Sequence, residues 1–304
     1  MNMIIDLAKV FRKDKLESIH YGIACHIKEG EVLNSWGDTD FKCFTRSMIK
    51  PIQTKVSLSI LEENLEDEFI AIASASHTCE PMQLEFIHKL AEKFGLFEGQ
   101  IQVGLEKNKK VVLESRFEHN CAGKHLLMLA AAKKQGFHLD DYLKADHPIQ
   151  KAIEKELMHL LGRNTEFEKA IDGCGLPTYY LSIKEMANLF LGMLKDSQYQ
   201  DIFRSMNEYP VIVGGEHQID SLLMYHHPGK FVAKGGAEGL MIVVNLEKKE
   251  SLVIKIIDGS HRAKPVITKA LLEKIGWIEK DSFEIDTHIY NSHGDAVGEI
   301  KASI

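Results

Sequence analysis

The pattern of hydrophobic and polar positions differs between the ends of the chain and its middle. Near the start, residues 21–27 form a short apolar run, and a Lys-Glu-Gly turn separates this run from residues 31–35. This pattern predicts a β-hairpin. In the last quarter, two runs rich in β-branched residues, 240–244 and 252–257, flank the charged segment 247–250 and predict a second pair of strands.

Helical spacing of apolar residues dominates the middle of the chain. The 3.6-residue period predicts helices over residues 81–94 and 148–161, while residues 124–134 are apolar nearly all round, as in a buried helix. A short strand is predicted over residues 167–171, and residues 266–275 predict one more amphipathic helix that returns to the sheet.

Strand-rich ends around a helical middle predict an α+β fold. In it, an antiparallel sheet built from both chain ends is flanked by helices and carries a mostly helical insertion. Residues 1–46 and 228–304 would form the sheet-containing part, and residues 47–227 the mainly helical part. We expect the two parts to make one catalytic unit with the site between them.

Composition limits the classes of function without indicating the chemistry. The 304 residues include 37 Lys+Arg and 44 Asp+Glu, so the formal net charge of -7 argues against a nucleic-acid binder, and the basic run 107–110 is expected to be a solvated loop. No apolar run approaches the ~20 residues that span a bilayer, and we expect neither a signal peptide nor a membrane partner. Five cysteines, an odd number, predict reduced thiols and a cytoplasmic location.

The first candidate for chemistry is the segment Arg46-Ser47-Met48-Ile49-Lys50-Pro51, at the start of an apolar helical stretch. On a helix, Ser47 and Lys50 share one face, and a desolvated, neutral lysine can act as a base toward a serine hydroxyl. Pro51 is tolerated only in the first turn, which places Ser47 at the helix N-terminus, where backbone N–H groups favour negative charge. The alternative is a helix cap followed by a surface lysine.

Other polar segments lie beside apolar ones, at residues 76–80, 120–125, 172–175 and 233–239. The serine-histidine pair of the first segment either caps the next helix, which is the simpler interpretation, or faces a cleft. The polar groups of the second need each other, a ligand or a metal as partners, because they adjoin a buried helix. Residues 172–175 form a tight turn that carries an acid and a thiol. Residues 233–239 either bring the backbone close to a substrate or form an exposed loop. Cysteine spacing alone favours buried hydrophobic thiols over a metal site.

Five segments in order resemble the rhizobial-type L-asparaginase family over roughly residues 20–260. They are Arg46-Ser47-x-x-Lys50-Pro51, Ser74-Ala75-Ser76-His77-x-x-Glu80, Asn120-Cys121-Ala122-Gly123-Lys124-His125, Asp172-Gly173-Cys174-Gly175 with Pro177-Thr178, and Lys234-x-Gly236-Ala237-Glu238-Gly239. The resemblance implies a fold like that of the serine β-lactamases and glutaminases. It also implies a homodimeric asparaginase that converts L-asparagine to L-aspartate and ammonia through an acyl-serine intermediate.

The resemblance further implies a role for each matching residue. The catalytic residues would be two serine–lysine pairs, Ser47 with Lys50 and Ser76 with Lys234, with Ser47 as the nucleophile. The substrate would contact Arg46 through its α-carboxylate, Asp172 through its α-ammonium, and His125. The ligands of a zinc ion would be Cys121, Lys124 and Cys174. Cys79 departs from the family pattern, which more often has glycine there, and we expect it to affect the turn that holds Ser76.

Two other functions are compatible with these residues. One is an acyl-serine amidase, glutaminase or penicillin-recognising hydrolase that uses Ser47 and Lys50 on another amide. The other is an inactive protein that binds zinc or an amino acid, although a binding module has no need of two serine–lysine pairs.

Overall fold

The chain folds around an antiparallel sheet to which both of its ends contribute. The computed structural model describes residues 3–107 and 111–304, so residues 108–110 of the basic run lie outside the described residues. The strands are β1 (Ile5–Arg12), β2 (Lys15–Lys28), β3 (Glu31–Trp36), β4 (Lys42–Phe44), β5 (Glu106–Lys107), β6 (Val111–Val112), β7 (Lys169–Ile171), β8 (Pro177–Ser182), β9 (Phe231–Gly236), β10 (Leu240–Asn245), β11 (Glu250–Ile256), β12 (His288–Tyr290) and β13 (Ala296–Ala302).

The helices separate the first strands of this sheet from the last ones. They are α1 (Lys50–Leu61), α2 (Asp67–Ser74), α3 (Pro81–Lys93), α4 (Ala122–Lys134), α5 (Pro148–Leu161), α6 (Ile183–Lys195), α7 (Ser197–Glu208), α8 (Pro210–Gly214), α9 (Ile219–His226) and α10 (Lys264–Lys274). Short 3₁₀ turns occupy Arg46–Ile49, Glu98–Gln100 and Arg116–Glu118.

The main sheet has the strand order β12-β13-β1-β2-β11-β10-β9, and β3 pairs with β2 beside this path. Strands β10 and β11 are buried at every position. Each strand contains an apolar run, residues 240–244 and 252–254, because both faces of the sheet are covered there. Helix α6 packs against β2 and β11, and α10 packs against β1, β10 and β13. A smaller sheet, β4-β8-β7, lies outside the main one.

The α+β class is confirmed, as are the two predicted strand pairs, β2 with β3 and β10 with β11. The helices predicted from apolar spacing are present as α3, α4, α5 and α10. The strand predicted over residues 167–171 is shorter, because only Lys169–Ile171 pairs with β8. Sequence reasoning missed β1, β12 and β13 at one side of the sheet. The division of the chain into residues 1–46 with 228–304 and residues 47–227 stays a prediction.

Helices α1, α2 and α4 pack against one another, whereas α9 packs against β9 of the main sheet. Helix α1 contacts α4 and α5, and α2 contacts α4 and α7. The 3₁₀ turn Arg46–Ile49 links the two layers, because it contacts β9 and β10 and continues directly into α1. Within the described ranges, none of these helices is both long enough and apolar enough to cross a membrane.

Candidate active site

Ser47 lies in a strained turn that leads into α1. The preceding residue, Arg46, has a left-handed φ of 48°, a conformation that costs a non-glycine residue roughly 1 kcal/mol or more. The Arg46 backbone N–H donates to Thr178 Oγ1 over 3.1 Å, which holds the turn against β8. Pro51 stands in the first turn of α1, as the sequence predicts. Ser47 is 9% exposed, and its hydroxyl has no hydrogen bond to any residue in the described part of the chain.

Lys50 is fully buried, and its amino group contacts neutral oxygen atoms. Its Nζ donates to Ser76 Oγ over 3.0 Å, to the Asn120 carbonyl over 3.1 Å and to the Ala75 carbonyl. Burial lowers the pKa of Lys50 to about 8; a Cys121 thiolate opposes this shift, and neighbouring ammonium groups add to it. A lysine with this pKa is partly neutral near pH 7 and can accept a proton there.

Lys234, the second predicted catalytic lysine, lies on β9 and is also fully buried. Its Nζ donates to the Gly235 carbonyl over 3.0 Å and lies 3.5 Å from Asp220 Oδ2. Burial lowers the pKa of Lys234, although the Asp220 carboxylate opposes the shift. The two lysines are close enough for the charge of Lys234 to help lower the pKa of Lys50.

The structure brings the four proposed catalytic residues together, but with a different pairing of hydrogen bonds. Within residues 3–107 and 111–304, neither Ser47 with Lys50 nor Ser76 with Lys234 forms a hydrogen bond. Lys50 instead donates to the hydroxyl of Ser76. Lys50 therefore stands three residues after one serine and in contact with the other.

The turn that carries Ser76 does not cap the following helix. The N-cap of α3 is Glu80, which forms a capping box with Gln83. Ser76 is fixed instead by its backbone N–H, which donates to the Val213 carbonyl over 2.9 Å, and by the hydrogen bond from Lys50. Of the two interpretations of this segment, the simpler one, a helix cap, is therefore wrong for Ser76.

The first turn of α4 is pressed against α2 at Gly123. A Cβ atom at this position would lie 2.2 Å from the Ile72 carbonyl oxygen, so only glycine fits. This close approach brings the buried side chains on either side, Cys121 and Lys124, toward Cys174 in the turn after β7. Cys121 and Lys124 thus find partners within the protein, whereas His125 Nε2 is buried without a partner among the described residues.

Cys121, Lys124 and Cys174 form a buried cluster of two thiols and an amine. A hydrogen bond from Cys174 holds the pKa of Cys121 well below its usual range, against the effect of burial. Burial disfavours the charged form of Lys124, yet the neighbouring sulfur charges raise its pKa above the ordinary value. The cluster without a metal is therefore a thiolate–ammonium pair with a second thiol.

These three side chains suit a zinc ion by their chemistry, since thiolates and nitrogen donors are its preferred ligands. Among the described residues, no three His, Cys, Asp or Glu side chains form a group that could hold a metal. A zinc site here therefore depends on the Lys124 amine as third donor, and that amine must first lose its proton.

Arg46 and Asp172 form an ion pair beside the Ser47 turn. Arg46 Nε donates to Asp172 Oδ1 over 2.6 Å, and Arg46 Nη1 lies 3.8 Å from Glu238 Oε1. The Gly173 N–H also donates to Asp172 Oδ1, over 2.8 Å. Only 23% of the Arg46 side chain is exposed. Because one N–H of the guanidinium serves Asp172, the other N–H groups remain for a substrate carboxylate.

His125 is a buried neutral hydrogen-bond donor. Its Nδ1 lies 2.7 Å from the Tyr142 hydroxyl, which in turn accepts from the Gln102 N–H over 3.1 Å. When the hydroxyl proton points to Nδ1, the imidazole proton lies on Nε2. Burial lowers the pKa of His125 well below its usual range, and Nε2 is buried with no partner among the described residues. An orphaned donor of this kind suits a ligand acceptor.

Sequence reasoning missed two residues that support the site, Asp220 and Tyr142. Asp220 is 5% exposed and contacts Lys234, but its position near the start of an apolar helix gives no chemical signal. Tyr142 is completely buried and orients His125 from a segment without a recognised motif. His77, which the sequence does place in this region, is buried with its Nε2 unpartnered among the described residues.

Lys50, Ser76 and Lys234 lie close to one another in this fold, and the comparison with family models identifies the family of the chain. The family model described as L-asparaginase II matches residues 8–302. The chain belongs to that family and is a hydrolase that acts on amides. No curated protein matches the chain.

Among solved structures, the chain is similar to a β-lactamase from Mycobacterium bovis. The sequence identity is 15%, the match covers 83% of this chain and 94% of that chain, and the TM-score is 0.46. It is also similar to a mutant form of a Streptomyces DD-transpeptidase at 12% identity, with 84% of this chain and 97% of that chain covered and a TM-score of 0.43.

Proposed function

We propose that this protein hydrolyses the side-chain amide of L-asparagine to L-aspartate and ammonia through an acyl-serine intermediate. Membership of the L-asparaginase II family supports this function. The observation that carries it is the fully buried amino group of Lys50, which follows Ser47 by three residues and donates to Ser76 Oγ over 3.0 Å. A desolvated lysine in contact with one serine hydroxyl and three residues after another serine supplies a base and a proton carrier.

In the acylation step, neutral Lys50 accepts the proton of Ser47, and Oγ attacks the side-chain amide carbon of the substrate. The electron pair of the carbonyl moves onto its oxygen, which accepts hydrogen bonds from backbone N–H groups at the start of α1. Collapse of this intermediate breaks the C–N bond. The departing nitrogen takes a proton from Lys50 or Lys234, directly or through the Ser76 hydroxyl, and leaves as ammonia.

In the deacylation step, water attacks the aspartyl ester and passes its proton to the same lysine and serine groups. The ester C–O bond breaks, the proton returns to Ser47, and L-aspartate leaves. Ser76 and Lys234 would serve both steps as proton carriers, because each step needs one proton accepted and one returned.

The substrate's α-carboxylate would bind the free N–H groups of Arg46, and its α-ammonium would bind Asp172. These two side chains are already paired over 2.6 Å, so each is held in place before the zwitterionic substrate arrives. The Nε2–H of His125 would donate to a substrate oxygen, which removes the cost of its unpaired state.

We further propose zinc as the cofactor, held by Cys121, Lys124 and Cys174. Support comes from the mutual contacts and burial of these three side chains. Bound zinc would supply a Lewis-acidic positive charge near the site. A cytoplasmic location and a homodimer also stay proposals, the first because two thiols must remain reduced to bind the metal.

Ammonia release tests this function directly. The purified protein would be assayed with L-asparagine and L-glutamine, with and without added zinc and chelator, and with the chromogenic β-lactam nitrocefin. We expect ammonia from L-asparagine and no nitrocefin hydrolysis. Faster turnover of L-glutamine or nitrocefin would replace this function by the second enzyme class, and calorimetric binding of L-asparagine without ammonia would replace it by a binding protein.

A further inference from the structure

Asp220 places a buried carboxylate directly against the Lys234 strand. It lies in the first turn of α9 and is 5% exposed. Its Oδ2 accepts a hydrogen bond from the Gly235 N–H over 3.0 Å and lies 3.5 Å from Lys234 Nζ. One carboxylate oxygen thus contacts the lysine side chain and the main chain of the next residue. Both the amine and its strand are thereby fixed relative to α9.

A second buried lysine, Lys264 at the start of α10, reaches the end of β9. Its Nζ donates to the Gly236 carbonyl over 3.0 Å. A Cβ atom at Gly235 would lie 3.4 Å from both Lys264 Nζ and Asp220 Oδ2, so the carboxylate and this amine flank the same glycine. Burial lowers the pKa of Lys264 to about 8. Burial also opposes ionisation of Asp220, but Lys234 and the Gly235 N–H hold its pKa below the usual value. Asp220 is therefore the counter-charge in a cluster with two buried lysines.

The chain segment before Asp220 also holds Ser76, the serine that the resemblance pairs with Lys234. The Val213 carbonyl accepts from the Ser76 N–H over 2.9 Å. At Gly214, the next residue, a Cβ atom would lie 2.7 Å from Asp220 Oδ1, so a side chain there would displace the carboxylate. Residues 213–220 thus hold Ser76 through the main chain and Lys234 through the carboxylate.

We propose that Asp220 is a positioning residue, which holds the Lys234 ammonium in the active site so that it can donate a proton to the departing ammonia. This inference rests on the proposed function. A buried lysine without an anionic partner gives up its proton, as the neutral surroundings of Lys50 favour. The Asp220 carboxylate favours the charged form of Lys234, whereas Lys50 hydrogen-bonds to neutral oxygens, so we assign the role of base to Lys50 and that of acid to Lys234.

The test combines Asp220→Asn and Lys234→Met with the double variant. For D220N we expect kcat to fall by about 30- to 100-fold, with KM within about twofold, because a proton carrier contributes to the chemical step rather than to binding. In the K234M background the same D220N change is expected to alter kcat by less than about twofold, since the group on which Asp220 acts is gone.

Ser221→Ala is the matched control. Ser221 is the next residue on α9, is equally buried, and donates to the Pro210 carbonyl over 2.7 Å without contacting Lys234. We expect its kcat to stay within about threefold of the wild type. The conservative Asp220→Glu variant keeps the negative charge and is expected to retain more activity than D220N. A D220N kcat within about threefold of the wild type, or an equal loss in the K234M background, would overturn the proposal.

A substrate-independent measurement separates this inference from the proposed function. The urea midpoints of the wild type, D220N, K234M and the double variant report the coupling between the two side chains. We expect the midpoint of the double variant to fall by less than the sum of the two single shifts, because each single change leaves a buried charge unpaired. Additive shifts would contradict the inference even if L-asparagine is hydrolysed. A failure of the wild type to release ammonia, together with a coupled pair, would contradict only the function. If D220N alone does not fold, a folded double variant supports the coupling and an unfolded one refutes it.

Discussion

Two lysines of the site, Lys50 and Lys234, are equally buried but have different neighbours. Both are 0% exposed, and burial lowers the pKa of each. Within the described ranges, the amine of Lys50 hydrogen-bonds to neutral oxygens, whereas that of Lys234 also lies 3.5 Å from the carboxylate of Asp220. Burial alone therefore does not assign a role to a lysine. A neighbouring carboxylate favours the charged form of a lysine and opposes the effect of burial.

The neutral surroundings of Lys50 have a consequence for stability. Its pKa falls from 10.5 to about 8 on folding, and each unit corresponds to about 1.4 kcal/mol. The folded state binds fewer protons than the unfolded state between these two pH values, so this contribution to stability rises with pH across that window. At lower pH the protonated lysine destabilises the fold. The lysine that catalysis needs as a base therefore lowers the stability of the fold whenever it is protonated.

The largest expected effect distinguishes Ser47, three residues before Lys50, from Ser76, whose hydroxyl Lys50 contacts. If Ser47 is the nucleophile, Ser47→Ala should reduce ammonia release by about 10⁴-fold or more, because no acyl-enzyme forms. Ser76→Ala should reduce it by about 10²- to 10³-fold, since Ser76 only carries protons. Circular dichroism would establish that both variants fold. A Ser47→Ala variant with near wild-type turnover would transfer the nucleophile to Ser76, the serine that Lys50 actually contacts.

Arginine substitutions test the contrast between the two lysines, because a guanidinium group does not give up its proton. Lys50→Arg should lower kcat by about 10³-fold, since it removes the base. Lys234→Arg keeps the positive charge beside Asp220 but removes the proton donor, so it should lower kcat by about 10²-fold. Equal losses in the two variants would show that the carboxylate does not distinguish the lysines.

The wild-type pH profile gives a second measure of the same contrast. Because Lys50 must be neutral to accept a proton, log kcat/KM should rise with pH and level off above an inflection near pH 8. Asp220→Asn should shift this inflection to higher pH, because a neutral Lys234 no longer contributes the charge that helps lower the pKa of Lys50. Ammonia release across pH 6 to about 9.5 would check it. An inflection below about pH 6 would assign the base to another group.

The class of the fold could be predicted from the sequence better than the side-chain contacts of the site. Runs of β-branched residues and helical spacing are local signals, so the pair β10–β11 and helices such as α5 could be predicted. The hydrogen bond from Lys50 to Ser76 depends on how α1 packs beside the turn after α2, which no local pattern encodes. Asp220 likewise has no local sequence signal, because it meets Lys234 only when β9 folds back against α9.

A smaller effect concerns recognition of the substrate, away from both lysines. Arg46→Lys keeps the charge but loses the forked geometry that serves Asp172 and a carboxylate together. We expect KM for L-asparagine to rise about 10- to 100-fold, with kcat changed less than about threefold. Steady-state kinetics would measure this, with L-asparagine compared with its α-amide, which lacks the carboxylate. If Arg46 binds that carboxylate, the variant should lose most of its preference for the free acid.

The smallest expected effect lies at Cys79, which the family pattern more often fills with glycine. The structure gives the reason, because Cys79 has a φ of 68°, a left-handed conformation that glycine adopts without strain. Relief of that strain in Cys79→Gly, about 1 kcal/mol, is offset by the greater freedom of an unfolded glycine, about 0.4–1 kcal/mol. The thiol also donates to the Glu118 carbonyl over 2.8 Å, a contact that glycine loses.

Cys79→Gly is therefore expected to change the free energy of unfolding by less than about 1 kcal/mol, as measured in urea. The variant to compare is Cys79→Val, whose β-branched side chain is strained at this φ and should destabilise by about 2 kcal/mol. Since this turn places Ser76 against Lys50, strain at residue 79 should lower kcat through that contact. The loss caused by Cys79→Val should therefore shrink in a Ser76→Ala background. An undiminished loss there would mean that the turn serves the fold and not the contact between Ser76 and Lys50.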